Sequence, residues 1–216
     1  MSKRPITYAF IDSQNLNLGV QSQGWKLDFK KFRLYLKNKY GVEKAYLFIG
    51  LIPGNEQLYS HLSSVGFELV FKPTIAYDVG GKKTHKGNVD AELVLYAAAK
   101  MYRDYDRAII VSGDGDFRCL AEYLIEERKL LHIMTPNRSF SKLLRDFLKY
   151  IVQIDKLRGS LEYKKHQPIR SVETLGRAGK SSRSSGRYET LGLPRHGDAF
   201  NIAKNTKKVN KRSDTR

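Results

Sequence analysis

An α/β fold with a mostly parallel sheet is what this 216-residue chain predicts. Three observations carry that expectation. Strand-like apolar runs alternate with helix-like segments through the first three-quarters of the chain. Such alternation implies right-handed crossovers and helices on both sheet faces, a three-layer α/β/α sandwich. Aspartates also recur just past apolar runs, where an open α/β sheet presents groups to a ligand.

The elements follow in order. Residues 6–12 read as the first strand. Asp28 caps a helix over 29–39, with Phe29, Phe32, Leu36 and Tyr40 at helical spacing and Gly41 as the stop. Residues 42–52 form an apolar strand. Asn55 caps a helix through Ser64, closed by Gly66, and 67–71 is a strand followed by Pro73. Residues 74–87, with Gly80, Gly81, Lys82, Lys83 and Lys86, read as a loop. Asn88 caps a helix to about Tyr102, whose apolar face includes Val89, Leu93, Ala97 and Met101. A strand at 107–111, a helix at 117–128 and a strand at 130–134 come next. Ser139 caps a helix over 140–149, and 151–154 is a last short strand.

Composition changes after Leu157. Residues 1–157 read as one globular domain, and 158–216 as a basic, disordered tail with 15 Lys and Arg against 5 Asp and Glu. The whole chain carries a formal charge of +17, which points to nucleic acid or another anionic surface rather than to an acidic metabolite. A single cysteine, Cys119, excludes an internal disulfide and a cysteine-based zinc site, and reads as a core residue. No signal-peptide pattern opens the sequence, and no apolar run is long enough to span a bilayer. A cytoplasmic, reducing setting is expected, with no membrane partner.

The candidate chemistry lies in three short motifs. Asp12 ends the first strand in Phe10-Ile11-Asp12-Ser13-Gln14-Asn15-Leu16, and Asn15 can return toward it. Asp and Asn also cap helices, so Asp12 alone reads equally well as a cap. Asp90 opens the helix after Lys86-Gly87-Asn88-Val89, where the macrodipole favours an anion. Glu92 faces another way and reads as solvated. The most specific motif is Ser112-Gly113-Asp114-Gly115-Asp116-Phe117, with two glycines for close approach and a hydroxyl able to orient a carboxylate. One cap explains one aspartate, not four. Carboxylates gathered at one sheet edge resist ionising together, and a hard cation such as Mg²⁺ or Mn²⁺ relieves them.

These three motifs, in this order, resemble the NYN domain of the LabA-like group within the PIN-like nuclease superfamily, over about residues 5–155. The resemblance implies a compact α/β/α sandwich. It implies a metal-dependent endoribonuclease that hydrolyses phosphodiester bonds in single-stranded RNA. Asp12, Asp90, Asp114 and Asp116 would hold one or two Mg²⁺ or Mn²⁺ ions, with Asn15 beside them and Ser112 in support. The ions would activate water and steady the leaving oxygen. Lys82, Lys83, Lys86, Arg138 and the tail would meet RNA phosphates, and Tyr77 and Phe140 offer rings for stacking. The superfamily also allows a homodimer. Ser13 and Arg118 depart from the glycine and proline common at their positions, which bears on substrate preference.

The competing class is an RNA-binding adaptor with a weak or inactive site, in which the tail does the binding. A phosphatase of the haloacid dehalogenase type needs a second Asp where Gln14 stands, and a toprim-like site needs a Glu where Asp12 stands.

Overall fold

Six strands hydrogen-bond side by side in the order β3-β2-β1-β6-β7-β8, every neighbouring pair parallel. They are β1 (Thr7–Asp12), β2 (Val42–Gly50), β3 (Glu68–Lys72), β6 (Arg107–Val111), β7 (Leu130–Thr135) and β8 (Ile151–Gln153). This computed structural model describes residues 4–72, 75–79, 82–86 and 89–164. A separate antiparallel pair, β4 (Ile75–Val79) with β5 (Lys82–Lys86), precedes the second half of the sheet.

Alternation along the central strands builds two cores. Ala9 and Ile11 of β1, Leu47 and Ile49 of β2 and Ile109 and Val111 of β6 face one way. They pack against α1 (Ser13–Gln21), α2 (Phe29–Tyr40) and α3 (Glu56–Ser64) through Leu16, Val20, Phe32, Leu36, Leu58 and Leu62. Tyr8, Phe10, Tyr46, Phe48, Ala108 and Ile110 face the other way. They meet α4 (Val89–Leu95) and α5 (Arg118–Glu126) through Leu93, Leu120, Ala121 and Leu124. Strands buried on both faces read as continuous apolar runs, as 8–11 and 108–111 do.

The helix caps on α2 hold. Asp28 accepts from the Lys31 N–H at 3.0 Å, and Gly41 closes the helix at φ +66°, a conformation costly for any side chain. Four expectations need correction. Residues 13–21 form α1, which sequence leaves unassigned because its apolar pair Leu16 and Val20 is thin and its remaining residues are mostly polar or glycine. Residues 74–87 are not one loop: β4 and β5 pair from Ile75↔Lys86 to Val79↔Lys82, and the lysines of β5 hide any strand pattern. The segment read as a helix over 140–149 is a 3-10 helix, Lys142–Tyr150, capped by Ser141 rather than Ser139. Ser141 Oγ accepts from the Leu143 N–H, whereas the Ser139 N–H is spent on Asn137. Cys119 is exposed, because the buried positions of α5 are Leu120, Ala121 and Leu124.

The helix that begins with α4 also ends differently, as a π-helical turn over Tyr96–Lys100. Past Leu157 the packing continues. Arg158–Leu161 form α6, Leu161 is only 1 % exposed in the first core, and Glu162 bridges to Leu27. The basic segment from 165 onward lies outside the described residues.

Leu161→Ala should lower stability by about 2–4 kcal/mol in urea denaturation, the usual cost of a cavity at a buried leucine. An unchanged midpoint would mean that α6 adds nothing to the core.

Candidate functional site

The sheet reverses direction of travel between β1 and β6. From β1 the chain moves outward to β2 and β3, and from β6 it moves the other way to β7 and β8. The loops leaving the two carboxyl ends diverge and open a crevice, the usual ligand position in such sheets.

Asp12, the last residue of β1, stands in that crevice and is 6 % exposed. It fills the cap that one of the two sequence readings gives it. As the cap of α1 its Oδ1 accepts from the Asn15 N–H at 3.0 Å. Its Oδ2 accepts from the Ser112 hydroxyl at 3.3 Å, across the junction with β6. Burial pushes its carboxyl up from the ordinary 3.8 to about 6, the nearby charges of Asp90 and Asp114 add to the rise, and the two hydrogen bonds oppose it.

Asp90 lies in the first turn of α4, half-buried. Its carboxyl is also raised, first by burial and then by Asp114 and Asp116, with Lys72 at the end of β3 acting against them. Asp12 is therefore within electrostatic reach of Asp90 and Asp114, and Asp90 of Asp114 and Asp116. Asp114 and Asp116 are exposed. The Asp114 N–H donates to Ser112 Oγ at 3.2 Å, and Asp114 Oδ1 accepts from the Asp116 N–H at 3.2 Å. Asn15 ties the loops together, its Oδ1 accepting from the Gly113 N–H at 2.8 Å. That leaves its amide N–H₂ as the group able to meet a phosphate.

The turn needs its second glycine. A Cβ on Gly115 would collide with the Ser141 hydroxyl and lie 2.9 Å from Leu143 Cδ1. Thus the loop carrying both aspartates is pressed against the 3-10 helix that follows β7. Arg138 is exposed on the loop between them, which packs through Pro136 against Gly19 and Gly113. Phe140 is half-buried beside Gly113 and packs on the second core. The side chains of Lys82, Lys83, Lys86 and Tyr77 lie outside the described residues. Sequence reasoning missed Lys72, although the strand-end rule that finds Asp12 also finds it.

The donor set is oxygen throughout, as a hard cation requires, and its mutual repulsion is what a cation relieves. Among the described residues, however, no three Asp, Glu, His or Cys groups converge closely enough to hold one ion. No helix among them is long and apolar enough to cross a membrane.

An α/β/α sandwich with aspartates at the switch point is the architecture expected of a PIN-like nuclease. Residues 7–155 match the NYN domain, and the chain belongs to that family, within the PIN-like nuclease superfamily. It is 25 % identical over 170 residues to the low amplitude and bright protein LabA of Synechococcus elongatus, covering 75 % of this chain and 91 % of that protein. It also superposes on the crystal structure of a Vibrio parahaemolyticus protein of unknown function, with TM-score 0.59 and 27 % identity over 76 % of this chain and 99 % of that one.

The raised carboxyl of Asp12 makes stability fall with pH. Its ionised form is disfavoured in the folded state, so the penalty is absent below about pH 3.8, grows as pH rises through 6, and is complete above that. Two pH units correspond to about 3 kcal/mol. Asp12→Asn should therefore be more stable than the parent by about 1–3 kcal/mol at pH 7.5, with the advantage gone at pH 3.5. Urea unfolding at both pH values checks this, and a parent protein as stable as the variant at pH 7.5 would contradict it.

Proposed function

We propose that this chain is an endoribonuclease that hydrolyses phosphodiester bonds in single-stranded RNA, using Mg²⁺ or Mn²⁺ at the aspartate cluster. The observation that carries this reading is Asp12, a carboxylate buried among Asp90 and Asp114 at a switch-point crevice. Repelling carboxylates reduce stability, and a fold without a cationic ligand gains nothing from them. A chain of charge +17 supplies the complementary pull on a polyanion.

Each residue has a role in that reading. Asp12 is a fixed oxygen donor, held by Ser112 and Asn15. Asp90, Asp114 and Asp116 are the further donors, the last two on a loop open to substrate. A bound divalent cation supplies charge neutralisation and polarises the scissile phosphate. In this reading the Asn15 amide, Lys72 and Arg138 would meet flanking phosphates, and Lys82, Lys83, Lys86 and the basic tail would add positive charge. Phosphate contacts of this kind position the strand and carry no sequence information. A cytoplasmic setting fits the single unpaired cysteine.

The second reading is an RNA-binding adaptor. It draws on the observation that no three carboxylates among the described residues converge on one point.

End-labelled single-stranded RNA, incubated with Mg²⁺, Mn²⁺ or EDTA, separates the two. Asp12→Asn and Asp114→Asn should each reduce metal-dependent cleavage by about 100-fold or more, with Kd for RNA within about twofold of the parent. Undiminished turnover in both variants would remove the aspartates from the reaction. Tight binding with no cleavage in any metal would establish the adaptor. Truncation after Lys164 should flatten the slope of log affinity against log salt, since counterion release scales with phosphate contacts. An identical slope would show that the tail does not touch phosphate.

A further inference from the structure

On the opposite side of the sheet from α4 and α5, helices α2 and α3 enclose an open groove of about 590 Å³. Its lining includes Lys30, Arg33, Leu34 and Lys37 from α2, and His61 and Ser64 from α3. Among the described residues no carboxylate lines it, although Glu68 lies within electrostatic reach of Arg33. The three cations fall at helical spacing on one face of α2, where like charges repel.

Their uses differ. Arg33 is structural: its guanidinium donates to the carbonyls of Gly66 at 2.8 Å, Val42 at 3.2 Å and Glu43 at 2.8 Å, fixing a permanent positive charge in the wall. Lys31, on another face of the helix, is spent on Asp28 and the Glu162 carbonyl. Lys30 and Lys37 make no ion pair or side-chain hydrogen bond among the described residues. Between them Leu34 is 55 % exposed, an apolar surface with a cation on either side along the helix.

We infer that the groove between α2 and α3 is a second RNA-binding surface, which takes the phosphate backbone of a single strand on Lys30 and Lys37 while a ribose or base covers Leu34. The chemistry favours a polyanion over a compact phosphorylated metabolite. The two lysines are a full two turns of helix apart, about 10 Å at 1.5 Å per residue. They therefore suit two separate phosphates along a strand better than one phosphoryl group. The basic tail is excluded as occupant by its own sign. This inference rests on the proposal that RNA is the ligand, but not on its hydrolysis. A strand held here and at the crevice would run from one face of the sandwich to the carboxyl edge of its sheet, so the groove acts on long RNA.

The test uses the full-length protein and a labelled 30-nucleotide oligouridine. Lys30→Gln/Lys37→Gln should raise Kd about fivefold or more and reduce the slope of log affinity against log salt by about 1.4, two phosphates at ~0.7 each for a single strand. The control is Lys149→Gln/Lys156→Gln, which removes equal charge from exposed positions outside the groove. It should change Kd by less than twofold. Both variants should keep the parent's urea midpoint. Equal losses in the two variants, or no loss in either, would overturn the groove as a site. So would a loss confined to binding of anionic phosphatidylserine vesicles. Cleavage is scored separately: a parent that cleaves nothing while the groove variant binds weakly would leave the groove standing and end the nuclease reading.

Discussion

The hydrogen bond from Ser112 to Asp12 is the joint on which the crevice depends. It links the ends of two neighbouring strands separated by a hundred residues of chain. Asn15 doubles the link by accepting from Gly113. Through these bonds the β1 turn and the Gly113–Asp116 turn are set in one geometry, and Asp114 inherits its position from Ser112. A hydroxyl suits the post because it donates to a carboxylate and accepts from a backbone N–H together. The cost is a carboxyl held where ionising is unfavourable, the usual balance between stability and function at a site.

Most of the fold was legible because its signals are local. The apolar runs at 8–11 and 108–111 are strands buried on both faces, and Asp28 and Gly41 mark α2 by stereochemistry alone. The elements that escaped have weak local signals. α1 is a polar helix held by the contact of two aliphatic side chains with the sheet. The β4–β5 pair carries lysines where a strand usually alternates. The 3-10 helix after β7 looks like an α-helix in sequence, and its kink at Phe147 has no local signal.

Legibility of the site followed the same division. The strand-end rule located Asp12 and the Gly113–Asp116 turn, and the helix start located Asp90, because those positions are fixed by topology. Which partners each group takes was not written locally. Asn15 reads in sequence as returning toward Asp12, and only the structure shows its oxygen committed to Gly113. Lys72, separated from Asp90 in sequence by β4 and β5, comes within electrostatic reach of it through tertiary structure alone. The groove of α2 and α3 likewise exists only once the helices are packed side by side, although the lysine spacing along α2 was present in the sequence.

Strand order has a consequence for synthesis. β1 lies at the centre of the sheet, and it pairs on one side with β2 and on the other with β6, where Phe10 meets Ile110. A ribosome delivers β1, β2 and β3 long before β6, so the amino-terminal half must wait with one side of β1 unpaired. Pairings of such sequence separation are slow to form. Until residue 112 has emerged, Asp12 lacks its hydroxyl partner and the Asp114 turn does not exist. A nascent chain is therefore unable to possess the completed crevice until β6 and the turn that follows it have emerged.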